Sequence, residues 1–184
     1  EGPGLRVDVH EFHGLLKEAQ DAERTRDASG AERLCSEAAT LVRGEFLAGF
    51  FLRDSSGFEQ WQEEQREALR REHVGALRTL AALCEGRGDR ASAAARTRKW
   101  TALDPLEEAA HRELMRLLAL SGERAAARRQ YDRCRELLKR ELGETPSRET
   151  EELRRCIAAG RFEAEQAPRH GAEAQPSGSR RPGN

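Results

Sequence analysis

The sequence predicts an all-α protein made of antiparallel helix pairs repeated along the chain, about seven helices in all. Three observations carry this expectation. Charged residues fill 35% of 184 positions and aromatic residues 5%, the composition of polar-faced helices that meet along small-residue seams. Apolar residues recur at three- and four-residue steps, the period of a helix with one buried face. The second half of the chain also repeats itself at a fixed offset. The length fits one domain large enough to bury a core.

Taken in order, residues 1–7 read as a connector, and Asp8 with Glu11 marks a first N-cap. A helix to about residue 26 follows, with Val9, Phe12, Leu15, Leu16, Ala19 and Ala22 on its apolar face. Ser29 with Glu32 caps the next helix, which turns Ala31, Leu34, Cys35, Ala38, Leu41 and Val42 inward and ends near Gly44. These two helices form an antiparallel pair. The stretch GEFLAGFFLRDSSG, residues 44–57, breaks the periodicity with an apolar cluster of Phe46, Leu47, Phe50, Phe51 and Leu52. Such a loop packs against the helices or against a partner. Ser56 and Glu59 restart a long helix on which Phe58, Trp61, Gln65, Ala68, Leu69, Ala76, Leu80 and Leu83 keep helical spacing to about Cys84.

A repeat begins here. Leu80, Leu83, Gly88, Arg90, Ala91 and Ala93 align with Leu114, Leu117, Gly122, Arg124, Ala125 and Ala127 at 34 residues, the period of tetratricopeptide helix pairs. Glycine permits the positive φ of the turn inside each pair. Asp104, Pro105 and Glu107 read as the N-terminus of the second unit's first helix, with Leu106, Ala110, Leu114, Leu117 and Leu118 inward. Its second helix carries Ala127, Tyr131, Cys134, Leu138 and Leu142. Gly143 stops it, and Pro146 restarts a short helix supported by Leu153 and Ile157. Residues 161–184 are polar, Pro- and Gly-rich and aperiodic, the composition of a disordered tail or linker.

Function classes narrow by exclusion. The formal net charge is −1, from 32 basic and 33 acidic residues, so the chain presents no strong field for nucleic acid or an anionic membrane. Cys35, Cys84, Cys134 and Cys156 lie apart within apolar helical patterns and read as reduced core thiols of a cytoplasmic protein. No apolar run has the length of a signal peptide or membrane span. The chain begins at Glu1 without Met, so it reads as a fragment. The run His10-Glu11-Phe12-His13 is one residue short of the H-E-x-x-H zinc helix, and no third ligand is suitably spaced. His111, beside an apolar stripe, reads as a packing or hydrogen-bonding residue rather than a base. Phosphate-loop, dinucleotide and nucleophile-elbow motifs do not occur. The expectation is a non-enzyme with no metal and no cofactor.

Partner contact is the remaining class. Trp61 and Trp100 read first as core residues, although aromatic side chains also anchor interfaces. Phe50 and Phe51 in the apolar loop, Trp61, and Arg128 and Arg129 in the basic run 124–140 are the candidate contact residues. A solvated helix face is the simpler reading of that basic run.

Three stretches then resemble a known family: W-x-x-L-D-P-L-E-E-x-A-H-R-x-L-M from Trp100, G-E-R-A-A-A-x-x-x-Y from Gly122, and E-L-G-x-x-P-S-x-E-T from Glu141. They resemble the bacterial transcriptional activator domain of SARP-type regulators, from about Asp8 to Ala159, with GEFLAGF and FEQWQEEQRE similar to the family's loop and third helix. The resemblance implies an N-terminal winged-helix domain that reads promoter DNA, missing here, with residues 1–7 as the join. It implies that residues 8–160 form a tetratricopeptide-like domain supporting homodimerisation and contact with RNA polymerase or other transcription proteins, in the regulation of antibiotic pathways. Some members continue into an ATPase module. Asp104, Pro105, His111, Arg112, Gly122, Tyr131, Leu142, Gly143 and Pro146 match the family pattern and are expected to cap, turn and pack helices. Two rivals stand beside this reading. One is a general tetratricopeptide-like scaffold without a tie to transcription. The other is a small-molecule sensor whose ligand lies among Trp61, Trp100 or Tyr131.

Overall fold

The computed structural model describes residues 8–52 and 55–161. The expected connector at 1–7 and, save Arg161, the expected tail therefore lie outside the described residues. Among the described residues there are seven helices and no strand: α1 (Asp8–Arg24), α2 (Ala28–Leu41), α3 (Ser56–Gly86), α4 (Arg90–Leu103), α5 (Glu108–Leu120), α6 (Arg124–Glu141) and α7 (Arg148–Ala158). Successive helices pack on one another, so α1/α2, α3/α4 and α5/α6 form three hairpins, and α7 closes the last against α5 and α6.

The three hairpin turns share one construction. Gly88 (φ 84°) and Gly122 (φ 78°) lie in the left-handed region. The N–H of Gly88 donates to the Glu85 carbonyl at 2.8 Å and that of Asp89 to Cys84 at 2.9 Å; Gly122 and Glu123 donate to Ala119 and Leu118 at 3.0 and 2.8 Å. These paired bonds satisfy carbonyls that a helix end leaves open. The first hairpin makes the same pair, Arg26 to Glu23 at 3.0 Å and Asp27 to Ala22 at 2.8 Å, with Arg26 itself at φ 61°. Four residues beyond Asp27, Asp89 and Glu123 stand Ala31, Ala93 and Ala127, each wholly buried. The repeat thus has three copies. The first was hidden because Arg occupies the glycine position and because the loop and the length of α3 break the 34-residue offset.

At 1.5 Å per residue, α3 is about 46 Å long. Its second half is the spine: Leu80 packs with Ala19, Leu34 and Cys35 of the first pair, and Val74 and Leu77 with Trp100 and Ala110. A further cluster joins Cys84 and Ala93 to Leu114, Met115, Leu117, Leu118, Tyr131 and Ile157. Before His73 the only buried residue of α3 is Gln62, so this half extends past the core.

Several local expectations are corrected. The cap of α2 is Asp27, whose carboxylate accepts the Gly30 N–H at 2.9 Å, because the shared turn delivers Asp27 to that place; Ser29 lies inside the helix. Asp104 does not begin α5. It is the C-cap of α4, and α5 starts after Glu107, which makes no side-chain cap bond. Pro105 and Leu106 form the turn between them. Leu142, expected inside, is 51% exposed because it follows the last turn of α6, where the chain leaves the core. Trp100 is buried as its spacing suggests, but Trp61 is 44% exposed on the overhanging half of α3.

Candidate interaction surface

Two regions hold the residues singled out in the sequence: the joint between α4 and α5, and the apolar loop before α3. At the joint, the motif residues cross-link four helices. Asp104 pairs with Arg70 of α3 at 3.0 Å. The buried Trp100 donates its indole N–H to Glu107 at 2.7 Å, and the Arg78 guanidinium lies 5.1 Å over its ring. His111 is almost fully buried, with Nε2 3.0 Å from the Pro105 carbonyl and Nδ1 2.8 Å from the Gln130 amide nitrogen. A carbonyl only accepts, so Nε2 carries the proton and Nδ1 accepts from Gln130. Burial holds this imidazole below its usual 6.5, and it stays neutral.

Toward α7, Glu108 accepts from the Ser147 N–H at 2.9 Å and from the Ser147 and Thr150 hydroxyls at 2.8 and 2.5 Å. Arg112 donates to the same Thr150 hydroxyl at 3.1 Å. Pro146 thus delivers Ser147 and α7 to α5 after Gly143 has turned the chain out of α6. Tyr131 is buried; its hydroxyl donates to Glu151, and the Arg135 and Arg154 guanidiniums flank its ring at 5.8 and 5.3 Å. These side chains are fully engaged in holding helices together.

The loop is built differently. Its backbone is clamped from beneath by α3: the buried Gln62 donates to the Leu47 and Phe50 carbonyls at 3.0 and 3.1 Å, and Arg66 to the Phe46 carbonyl at 2.9 Å. Rings then meet edge to face, Phe50 with Phe58 at 5.6 Å and Phe46 with Trp61 at 5.9 Å. The outer side stays open: Phe51 is 76% exposed, Phe50 49%, and Leu47 and Leu52 are exposed beside them. Phe58, 5.5 Å from Trp61, joins Phe50 to Trp61 in one ring cluster, Phe51 follows Phe50 exposed in the same loop, and Arg128 and Arg129 are exposed far along the chain on α6. Sequence reasoning missed Gln62 and Arg66, because a polar residue that serves loop carbonyls is indistinguishable in sequence from a solvated one.

Under the loop runs an open groove of ≈ 850 Å³, lined by Phe12, Leu41, Val42, Phe46, Leu47, Leu69, His73, Arg70 and Leu103 among others. Trp61, Trp100 and Tyr131 do not line it, so the expected aromatic ligand site is not assembled: Trp100 and Tyr131 sit in separate core clusters. Cys35 and Cys134 are buried thiols pushed up to about 11 by burial, which keeps them protonated and unreactive. Among the described residues no three His, Cys, Asp or Glu side chains gather to hold a metal ion. No described helix is long and apolar enough to cross a membrane.

In comparisons with known proteins, the family model for the bacterial transcriptional activator domain matches residues 7–158, spanning all seven helices. No curated protein gives a match.

Proposed function

Since the chain belongs to the bacterial transcriptional activator domain family, we propose that it is the regulatory and protein-interaction part of a SARP-type activator, presenting helix faces to a second protomer and to RNA polymerase or another transcription protein in the cytoplasm. The observation that carries this is the contrast between the two regions. The joint is locked by mutually satisfied side chains, whereas the loop offers an apolar face whose backbone carbonyls are hydrogen-bonded from behind by α3. A locked stack fixes the distance and angle between whatever binds at its ends. Contact with promoter DNA belongs to a winged-helix domain preceding residue 8, in keeping with a net charge of −1. The pathway regulated is one of secondary metabolism.

Two measurements test this. Light scattering at micromolar concentration is expected to give twice the chain mass, and a strict monomer removes the second protomer. Fused to an unrelated DNA-binding domain, the chain is expected to raise transcription from a reporter carrying that domain's site; no gain over the DNA-binding domain alone removes the contact with the transcription machinery.

A second reading, small-molecule sensing, is favoured by the groove, whose volume suits a drug-sized ligand. A ligand there raises the melting temperature, and flat thermal-shift curves across a metabolite set end this reading.

A further inference from the structure

We propose that the groove beneath the loop, with the His73 imidazole in its wall, binds an uncharged, largely apolar molecule through one ketone, ester or ether oxygen that accepts a hydrogen bond from His73. This rests on the small-molecule reading of the groove and gives that ligand its chemical class.

His73 is the observation that points to a ligand. It is 9% exposed and lines the groove, yet neither ring nitrogen has a hydrogen-bond partner among the described residues, and Nδ1 is fully enclosed. Buried polar groups are almost always paired, so an idle imidazole in a cavity wall marks a place that a partner from outside fits. Burial, and after it the Lys99 charge, holds the ring below its usual 6.5. It therefore offers one N–H and one lone pair and carries no charge. A proton on Nδ1 would be enclosed without an acceptor, the rarer defect in folded proteins. On Nε2, which is not enclosed, the proton is available to an oxygen in the groove.

The rest of the lining suits an uncharged body. Arg66 is held by the Phe46 carbonyl at 2.9 Å with Glu63 3.7 Å away, and Arg70 by Glu67 at 2.9 Å and Asp104 at 3.0 Å. The other charged lining residues, Asp8, Arg43 and Glu45, are exposed to water and of mixed sign. No buried, unpaired charge stands in the groove to select an ion. Its apolar lining includes Val9 of α1, Leu41 of α2, Leu69 of α3 and Leu103 of α4, each part-buried. These walls are tied together before any ligand arrives, since Arg66 holds the loop and Arg70 also donates to the Leu103 carbonyl at 3.3 Å. The volume of ≈ 850 Å³ lies within the ~300–1,000 Å³ of small-molecule sites.

The test uses prodan, an uncharged fluorescent naphthyl ketone, with the full chain. Its emission is expected to rise and shift to the blue, with a Kd on the order of tens of micromolar. Displacement by methyl naphthyl ketone and by isopropylnaphthalene, alike in shape but without the acceptor oxygen, gives a ketone-to-hydrocarbon affinity ratio. In His73→Phe that ratio is expected to fall about three- to tenfold, and in His73→Gln, which keeps an N–H donor, to fall less. Leu69→Trp, which fills the groove, is expected to weaken both ligands together, and Phe51→Ser on the exposed loop to change neither. Urea midpoints verify each fold. If His73→Phe does not fold, the His73 ring nitrogen signals of the native chain decide instead: they are expected to move with the ketone and not with the hydrocarbon. An unchanged ratio, or unmoved signals, overturns the proposal. So does tighter binding of naphthoate than of the ketone, which makes this an anion site, or prodan binding that responds to Phe51→Ser and not to Leu69→Trp, which places it on the loop. If prodan and the naphthyl ligands do not bind while another metabolite raises the melting temperature, this ligand class is wrong and the sensing reading stands; if nothing binds, both fall.

Discussion

Asp104 and Tyr131 separate two kinds of contribution at the scale of single residues. The Asp104 carboxylate touches Arg70 across the stack, so Asp104→Ala is expected to cost about 1 kcal/mol, a charge-assisted hydrogen bond discounted for partial exposure. In a double-mutant cycle with Arg70→Ala, most of that loss is expected to appear as coupling; a cap of α5 would lose the same amount without any coupling. Tyr131 fills core space and also donates to Glu151. Tyr131→Ala is therefore expected to cost roughly 3 kcal/mol through the cavity, and Tyr131→Phe about 1 kcal/mol through the hydrogen bond. Urea unfolding checks all of these. The types and positions of these residues were legible in the sequence, but not their partners: Arg70 lies on α3 and Glu151 on α7, each many residues away.

Among the elements, the three hairpin turns make one experiment. Gly88 and Gly122 occupy the left-handed region with open space around a would-be Cβ, so Gly88→Ala and Gly122→Ala are expected to cost about 1 kcal/mol each from backbone strain alone. Arg26 carries that strain already, and Arg26→Gly is expected to raise stability by about 0.5–1 kcal/mol. Opposite signs in thermal or urea melts verify that one turn was built three times. Helix number, order and pairing followed from periodicity and glycine placement. The boundaries at Asp27 and Asp104 did not, because a carboxylate beside a helix start reads as a cap until a turn or a distant arginine claims it.

For the whole molecule, acid is the revealing variable. Burial holds His111 and His73 below 6.5. Arg116, by hydrogen bonding, holds Glu85 below 4.5; burial alone would raise Glu108, but the Thr150 and Ser147 donors outweigh it and lower it as well. In every case the unfolded chain binds protons more readily than the folded one, so stability rises with pH across each window. The urea midpoint is expected to fall as pH drops below about 6.5, then more steeply below about 4.5. His111→Gln flattens the first decline. A midpoint independent of pH between 7 and 5 would refute the buried neutral imidazoles.

What the sequence determined by itself was the set of local rules: helices by apolar period, pairs by turn glycines, and a family by the motif around Asp104. Each is written within a few residues of where it acts. What only the tertiary structure decided was which polar residues are occupied and which apolar ones are left over. It turned Glu107, Glu108 and Arg112 into links between helices, Gln62 into a clamp beneath a loop, and Trp61 from a core residue into the edge of an open patch. Burial and pairing are properties of neighbours brought together from distant parts of the chain, and the periodicity of a single helix does not encode how far that helix extends past the core.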